Sequence, residues 1–80
     1  MNNWTTDNEG RLFKIFEFKS YQKSFAFTCQ VAMLAEKKNH HPEITLNYSK
    51  VEIALISHDV NAITERDRNL ANLIDKIYNQ

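Results

Sequence analysis

The sequence predicts a two-layer α+β domain with the element order β-β-α-β-β-α. Two pairs of strand-like segments are each followed by a helical segment, and paired strands between helices are typical of an antiparallel sheet covered on one face. We therefore expect a four-stranded antiparallel sheet with both helices on one face. The chain has 80 residues with a single glycine and a single proline, which leaves little room for a linker and predicts one domain over residues 1–80.

The start of the chain is predicted to form a β-hairpin. Trp4–Thr6 is expected to be a short strand, and the polar residues 7–10 to form a turn. The segment LFKIFEF at 12–18 is rich in aromatic and β-branched residues, which favour strands. Because this strand is apolar on both faces, we expect helices to cover one face and a partner subunit to cover the other, with burial of both faces within one subunit as the alternative.

A helix is predicted from Tyr21 to Lys38, with Ser20 as its N-cap. Pro42 disfavours helical geometry at His41, so the helix should end close to the two adjacent histidines. The expected apolar stripe of this helix consists of Phe25, Cys29, Met33 and Glu36, widened by Phe27, Val31, Leu34 and Ala35. On this stripe Cys29 is expected to be a core residue rather than a nucleophile.

A second hairpin follows the histidine pair. Ile44, Leu46 and Tyr48 alternate with polar residues and predict a strand, with Tyr48 half-buried in the sheet. A tight turn at 48–50 leads to the strand VEIALIS at 51–57, which ends just before His58.

The last element is predicted to be an amphipathic helix that runs from Thr64 to the C-terminus. The segment TERD resembles a capping box with Asp67 at the third helical position. Asp67 is interpreted here as a helix N-terminal charge that the helix dipole stabilises.

The composition excludes several classes of protein. Ten basic and ten acidic residues give a formal net charge of zero, which argues against direct binding to nucleic acid or to an anionic membrane. No apolar run approaches the length of a membrane span, and the first ten residues lack the blocks of a signal peptide. With one cysteine and therefore no intrachain disulfide, we expect a cytoplasmic protein. The thin core of so small a domain predicts that it gains further burial by oligomerising.

All three histidines, His40, His41 and His58, lie within residues 38–59. Histidine has an ordinary pKa of about 6.5 and can both give and take protons near neutral pH. The three are therefore candidates for general acid–base catalysis. A metal site is not expected, because adjacent extended residues point to opposite sides. A structural interpretation stays open, in which the pair caps the helix and His58 merely ends a strand.

One constellation carries a resemblance to a known family. It consists of Glu36, His40-His41-Pro42, Tyr48, His58, Asp59 and the TERD segment, in the strings AEKKNHHPE, NYSKVEIALISHD and ITERDRNLANLID. The chain closely resembles the pterin-4a-carbinolamine dehydratases from Trp4 to about Tyr78, and the predicted element order agrees with theirs.

The resemblance implies an enzyme that dehydrates 4a-hydroxytetrahydropterin, the carbinolamine that aromatic amino-acid hydroxylases release. The product is the quinonoid dihydropterin, which is recycled to tetrahydrobiopterin. An acid protonates the departing 4a-hydroxyl while a base takes the proton from the neighbouring ring nitrogen, so neither a metal nor another cofactor is implied.

The resemblance also implies roles for particular residues. His40 and His58 are expected to be the acid–base pair, and His41 to contact the pterin and share in proton transfer. The remaining expected substrate contacts are Glu36, Asn39, Ser57 and Asp59. Glu36 lies four residues before His40, so it is expected to face the same pocket and to favour the protonated imidazole. Asn39 stands where family members often carry an acid.

A binding function is the alternative to catalysis. A vertebrate relative also serves as a dimerisation cofactor for a homeodomain transcription factor, and an amphipathic helix surface suits a protein partner. A catalytically idle scaffold is a third hypothesis. The presence of all three histidines argues against it, because packing alone would tolerate apolar replacements.

Overall fold

The structure is a computed structural model that describes residues 3–80. Its strands and helices follow the predicted order, β-β-α-β-β-α. They are β1 (Thr5–Thr6), β2 (Leu12–Glu17), α1 (Tyr21–Lys38), β3 (Glu43–Leu46), β4 (Lys50–Leu55) and α2 (Glu65–Tyr78).

The four strands form one antiparallel sheet in the order β1-β2-β4-β3. Each hairpin contributes one outer and one inner strand, and the inner strands β2 and β4 pair from Leu12↔Leu55 to Glu17↔Lys50. The predicted α+β architecture is therefore confirmed, with the long β2–β4 pairing at its centre.

The two faces of the sheet have different surroundings. One face packs against both helices, and its core consists of Leu12, Phe16, Val51, Ile53 and Leu55 from the strands with Phe27, Val31, Leu70, Ala71 and Ile74 from the helices. On the other face Phe13 is half-buried and Ile15 is 44% exposed. This outer face is where the sequence predicted a partner subunit, which stays a prediction.

The buried stripe of α1 differs from the predicted one. Its fully buried residues are Ser24, Phe27, Val31 and Ala35, whereas Phe25 and Met33 are 54% and 74% exposed. Cys29 is half-buried rather than part of the core. The correct stripe begins with a polar residue, because the Ser24 hydroxyl donates to the Ser20 carbonyl at 3.2 Å and so can be buried.

Two other predictions concern the ends of elements. The Ser20 hydroxyl accepts the Lys23 N–H at 3.2 Å, which confirms the N-cap of α1. Tyr48 was expected in the sheet, but β3 ends at Leu46 and Tyr48 is 72% exposed in the following turn. The turn itself lies where the sequence placed it.

A polar cluster within the fold ties the first hairpin to α2. Asp75 accepts hydrogen bonds from the Lys14 ammonium at 2.8 Å and from the Trp4 indole at 3.0 Å. The Lys14 ammonium also lies 4.7 Å from the centre of the Phe16 ring, a cation–π distance. Lys14 is therefore buried on the core face with its charge compensated.

Neither helix within residues 3–80 is long and apolar enough to cross a membrane.

Candidate active site

The histidine pair is presented by the C-terminal end of α1. Asn39 adopts the left-handed conformation, with φ at 52°, which asparagine tolerates better than most residues. The His40 N–H donates to the Ala35 carbonyl and the Asn39 N–H to the Glu36 carbonyl, both at 3.1 Å. These two bonds form a Schellman motif, so the backbone leaves the helix immediately before the pair.

His40 is held by a buried carboxylate on α2. Its Nε2 lies 2.6 Å from Oδ1 of Asp67, whose side chain is fully buried, and the His40 side chain is itself only 13% exposed. The other oxygen, Oδ2, accepts hydrogen bonds from the Ser57 hydroxyl and the Thr64 N–H, both at 2.8 Å. Asp67 therefore links the end of α1, the segment after β4 and the start of α2.

Asp67 is held in its charged form despite its burial. Burial alone would raise its pKa, but the hydrogen bonds donated by the Thr64 N–H, the His40 ring and the Ser57 hydroxyl hold the pKa of Asp67 below its usual value. A carboxylate only accepts hydrogen bonds, so Nε2 of His40 must carry the proton that points at Asp67. In the neutral ring, Nδ1 is then the nitrogen that can exchange a proton with another group.

The role of Asp67 is the main feature that the sequence interpretation missed. The helix N-terminal position was correct, and the Thr64 N–H does donate to its carboxylate. The contacts with His40 and Ser57 join residues that are 27 and 10 positions away in the chain. A signal was nevertheless present, because Asp67 precedes Leu70, Ala71 and Ile74 at helical spacing and so lies on the apolar face of α2.

The first cavity of interest, the His40 cavity, lies between the end of α1 and one side of α2. Its volume is about 200 Å³, and it is lined by Lys38, His40, Arg66, Asn69, Leu70 and Leu73. Arg66 is paired with Asp59 at 2.5 Å. This hydrogen bond from Arg66 holds the pKa of Asp59 below its ordinary value.

His41 and His58 line a different cavity, the His58 cavity. Its volume is about 310 Å³, and it is lined by Arg11, His41, Pro42, Glu43, Ala54, Ile56 and His58. Ala54, Ile56 and His58 alternate with the buried Leu55 and Ser57, so this cavity opens on the outer side of the sheet. The volume is at the lower end of the roughly 300–1,000 Å³ that is usual for small-molecule sites.

The histidines therefore lie in two adjoining cavities, one on each side of the His40–His41 backbone. Glu36 also differs from expectation, because its carboxylate contacts Nε2 of His41 at 2.8 Å and has no hydrogen bond to His40 among residues 3–80. The helical spacing rule fails here, since the helix ends at Asn39 and the next residues follow another path.

The other expected substrate contacts have distinct positions. Glu36, Asn39 and Asp59 are exposed to solvent. The Ser57 side chain is only 1% exposed and is bonded to Asp67, so its hydroxyl faces inward. Arg11 and Glu43 line the His58 cavity and were not singled out by the sequence analysis. Within residues 3–80, no three His, Cys, Asp or Glu side chains are grouped so that they could hold a metal ion.

Comparison with known proteins identifies the family. The profile of the family described as pterin 4 alpha carbinolamine dehydratase matches residues 1–77. The chain belongs to this family. Two relatives of the dehydratase family, each named "Putative pterin-4-alpha-carbinolamine dehydratase", come from Chloroflexus aggregans and Sinorhizobium medicae. The first is 39% identical over 92% of this chain and 79% of its own length. The second is 43% identical over 95% of this chain and 73% of its own length.

Solved structures support the same assignment to the dehydratase family. A transcriptional coactivator/pterin dehydratase from Brucella melitensis superposes with a TM-score of 0.91 at 33% identity, over 98% of this chain and 84% of that one. A pterin dehydratase-like protein identified as a RuBisCO assembly factor in the alpha-carboxysome superposes with a TM-score of 0.82 at 29% identity, over 96% of this chain and 90% of that one. The fold thus occurs both in proteins named for pterin dehydration and in one named for protein assembly.

Proposed function

We propose that this chain is a hydro-lyase that converts 4a-hydroxytetrahydropterin to the quinonoid dihydropterin in the recycling of tetrahydrobiopterin. Its membership of the dehydratase family supports the substrate class. The observation that carries the proposal is the bond between His40 and the buried Asp67. A carboxylate that fixes one imidazole nitrogen and leaves the other for proton exchange is an arrangement that orients a histidine for general acid–base catalysis.

The proposed reaction moves one proton from a ring nitrogen to the 4a-hydroxyl. The acid protonates this hydroxyl, the C4a–O bond breaks and water leaves. The base removes the proton from the neighbouring nitrogen as the C=N bond forms. His40, acting through Nδ1, and His58 are proposed as the pair that fills these two roles. Because the two histidines line different cavities, the proposal requires the pterin to reach from the His58 cavity past the His40–His41 backbone to Nδ1 of His40. The reaction consists of proton transfer and loss of water, so the proposal includes neither a metal nor another cofactor.

The remaining residues of the site are proposed to bind or orient. His41 would contact the pterin, with its ring oriented by Glu36 at 2.8 Å. Asn39 and Asp59 would act at the exposed rim. Ser57 is proposed to contribute indirectly, since its hydroxyl donates to Asp67 at 2.8 Å and helps to hold the carboxylate that orients His40.

The function is tested with the carbinolamine itself. Chemically generated 4a-hydroxytetrahydropterin is mixed with the protein, and its disappearance is followed in the ultraviolet. We expect the wild type to accelerate the loss of water, and the double variant His40→Ala, His58→Ala to lose roughly 10²–10⁴-fold of this rate. A wild-type rate equal to that of buffer would refute the proposed reaction.

A binding function is the second candidate, supported by an apolar line on the exposed side of α1. Tyr21, Phe25 and Met33 are 51%, 54% and 74% exposed, and the half-buried Cys29 lies between them at helical spacing. We propose that this line is covered by another copy of the chain in a homodimer or homotetramer, or by another protein. The names of the two solved relatives, a coactivator and an assembly factor, favour a protein-binding role.

The two functions are separated by variants in different places. Phe25→Glu is expected to reduce the molecular mass measured by light scattering, because a charge would be buried in the interface. The double histidine variant should leave this mass unchanged. A wild type that is monomeric at micromolar concentration would refute the oligomer. Two further expectations stay predictions from the sequence. One is that a hydroxylase in the same cell supplies the substrate, and the other is that the protein is cytoplasmic.

A further inference from the structure

The base of the His58 cavity lies on the outer face of the sheet, where Ala54 and Glu43 are opposite each other on β4 and β3. Phe13 lies opposite Ala54 on its other side, on β2, and is not part of the lining. Ala54 in the middle contributes only a methyl group between two larger side chains. Pro42 and Ile56 add apolar lining next to it. A flat ring fits such a cavity, because apolar surface contacts its faces while polar groups meet its edges.

Glu43 is the acidic group in the lining of this cavity, and it is held in place by Arg11. The guanidinium Nη1 of Arg11 donates to Oε1 of Glu43. The same guanidinium donates through Nε to Asp7 at 2.9 Å and lies 3.5 Å from Glu9. Asp7 is in turn fixed by the backbone N–H groups of Glu9 and Arg11, each at 2.9 Å. The β1–β2 turn thus holds Arg11, and Arg11 orients Glu43.

The charge at this edge of the cavity favours a ligand that donates hydrogen bonds. The single cation of Arg11 faces three carboxylates, those of Asp7, Glu9 and Glu43. The hydrogen bonds to Glu43 and Asp7 raise the pKa of Arg11, so it stays charged. With an excess of negative charge, the edge should repel an anion and attract N–H donors.

We infer that Glu43 binds the amino-pyrimidinone edge of the pterin and selects for it, with Arg11 as its positioning residue. This inference rests on the proposed function. The 2-amino group and N3–H of a pterin are neighbouring donors, and a carboxylate accepts such a pair as it accepts the paired donors of a guanidinium. A carboxylate has about four lone-pair sites, so Oε1 can accept from Arg11 and from the ligand together.

The assignment predicts a particular selectivity. Lumazine has a carbonyl in place of the 2-amino group of pterin, so it would direct an acceptor at the Glu43 carboxylate. A site built to accept from a donor rejects the analogue that lacks it. We therefore expect the wild type to bind oxidised pterin about 10- to 100-fold more tightly than lumazine.

The experiment measures the dissociation constants of pterin and lumazine by their fluorescence, for the wild type and for Glu43→Gln. A glutamine accepts from N3–H with its carbonyl and donates to the lumazine carbonyl with its amide. The preference for pterin should therefore shrink to about threefold or less, or be reversed. In the dehydration assay, KM should rise while kcat changes by less than about twofold, because the contact is the same in the ground and transition states.

The matched control is Glu65→Gln. It removes the same charge from a residue that neither lines the cavity nor contacts Arg11, since Glu65 is 75% exposed and pairs with Arg68. We expect its pterin-to-lumazine ratio to equal that of the wild type. Circular dichroism melting of both variants checks that the fold is retained.

The outcomes distinguish the two proposals. A wild type that dehydrates the carbinolamine, with the same pterin-to-lumazine ratio in Glu43→Gln, would overturn the assignment of Glu43 and leave the proposed reaction standing. A ratio near one in the wild type would do the same. A wild type that neither binds pterin nor speeds the dehydration would overturn both.

Discussion

Replacing Asp67 by asparagine tests whether the buried carboxylate positions His40 for catalysis. The substitution keeps the shape but replaces one acceptor oxygen by an N–H₂ donor. The carboxylate receives hydrogen bonds from His40 at one oxygen and from Ser57 and Thr64 at the other. An amide can accept at one of these positions only. If its nitrogen faces His40, then Nε2 must become an acceptor, and the ring proton moves to Nδ1.

The alternative orientation of the amide is also unfavourable. If the carbonyl of the introduced amide faced His40, its N–H₂ would face the Thr64 N–H, which is itself a donor 2.8 Å from that position. One unsatisfied buried donor costs about 1–3 kcal/mol. For a domain of this size, 1 kcal/mol lowers Tm by roughly 4–8 °C. The amide nitrogen should therefore face His40, and we expect Asp67→Asn to fold and to hold His40 mostly in the wrong tautomer. Because the charge-assisted hydrogen bonds of the carboxylate become neutral ones, at a total cost of about 1–3 kcal/mol, the variant should melt roughly 4–24 °C lower than the wild type.

The catalytic loss should exceed what lower stability explains. A proton-transfer group in the wrong tautomer forfeits a contribution of roughly 10²–10⁴-fold. The assay is kcat for the dehydration at a temperature well below both melting points, together with ¹⁵N chemical shifts that report the His40 tautomer.

Asp75→Asn is the matched control for this experiment. It makes the same substitution in another partly buried carboxylate of α2, which is bonded to Lys14 and Trp4. It should lower Tm, because Asp75 is bonded to Lys14 and Trp4. It should keep kcat within about threefold of the wild type, which is under 1 kcal/mol in the activation barrier, because neither partner belongs to the candidate site. If Asp67→Asn also kept kcat within this range, Asp67 would be a purely structural residue.

Three further outcomes follow from the same structure. Because the pKa of Asp67 is lower in the folded state than its unfolded value of about 3.9, its stabilising effect is present above that pH and is lost as pH falls through the folded value. The difference in stability between wild type and Asp67→Asn, from urea unfolding, should therefore shrink below about pH 4. Asn39→Val should destabilise the protein by about 1–2 kcal/mol, because Asn39 has φ at 52°, whereas Asn39→Gly should be neutral or slightly stabilising. Ser57→Ala leaves Asp67 the hydrogen bonds from His40 and Thr64 and should reduce kcat less than Asp67→Asn does; an equal loss would contradict this order.

The element order was predictable because the local signals agreed with the tertiary fold. Strand alternation, the Ser20 cap and the stop before Pro42 each describe interactions within a few residues. The orientation of α1 was not predictable in this way, since the helix has one apolar line through Phe25 and Met33 and another through Phe27 and Val31. The sheet contacts the second line. The sequence analysis did not recognise this line as the buried one, because it begins with the polar residue Ser24.

The site was predictable in its residue types but not in its pairings. The family resemblance directed attention to the three histidines, while the contacts of His40 and His41 depend on where the chain turns. Asn39 ends the helix, so Glu36 pairs with His41 rather than with the residue one turn ahead. Asp67 was recognised as a cap because that role is local, whereas its bond to His40 depends on how α1 packs against α2.

The register of β4 connects these observations. Ser57 and His58 are adjacent, so their side chains lie on opposite sides of the chain: the Ser57 hydroxyl holds Asp67, and with it His40, while His58 lines the outer cavity. A shift of one residue would exchange these two sides. The pairing of Leu12 with Leu55 and of Phe16 with Val51 opposes such a shift, because it would turn fully buried leucine and valine side chains out of the core. The hydrophobic pattern that stabilises the sheet therefore also sets which histidine lies in which cavity.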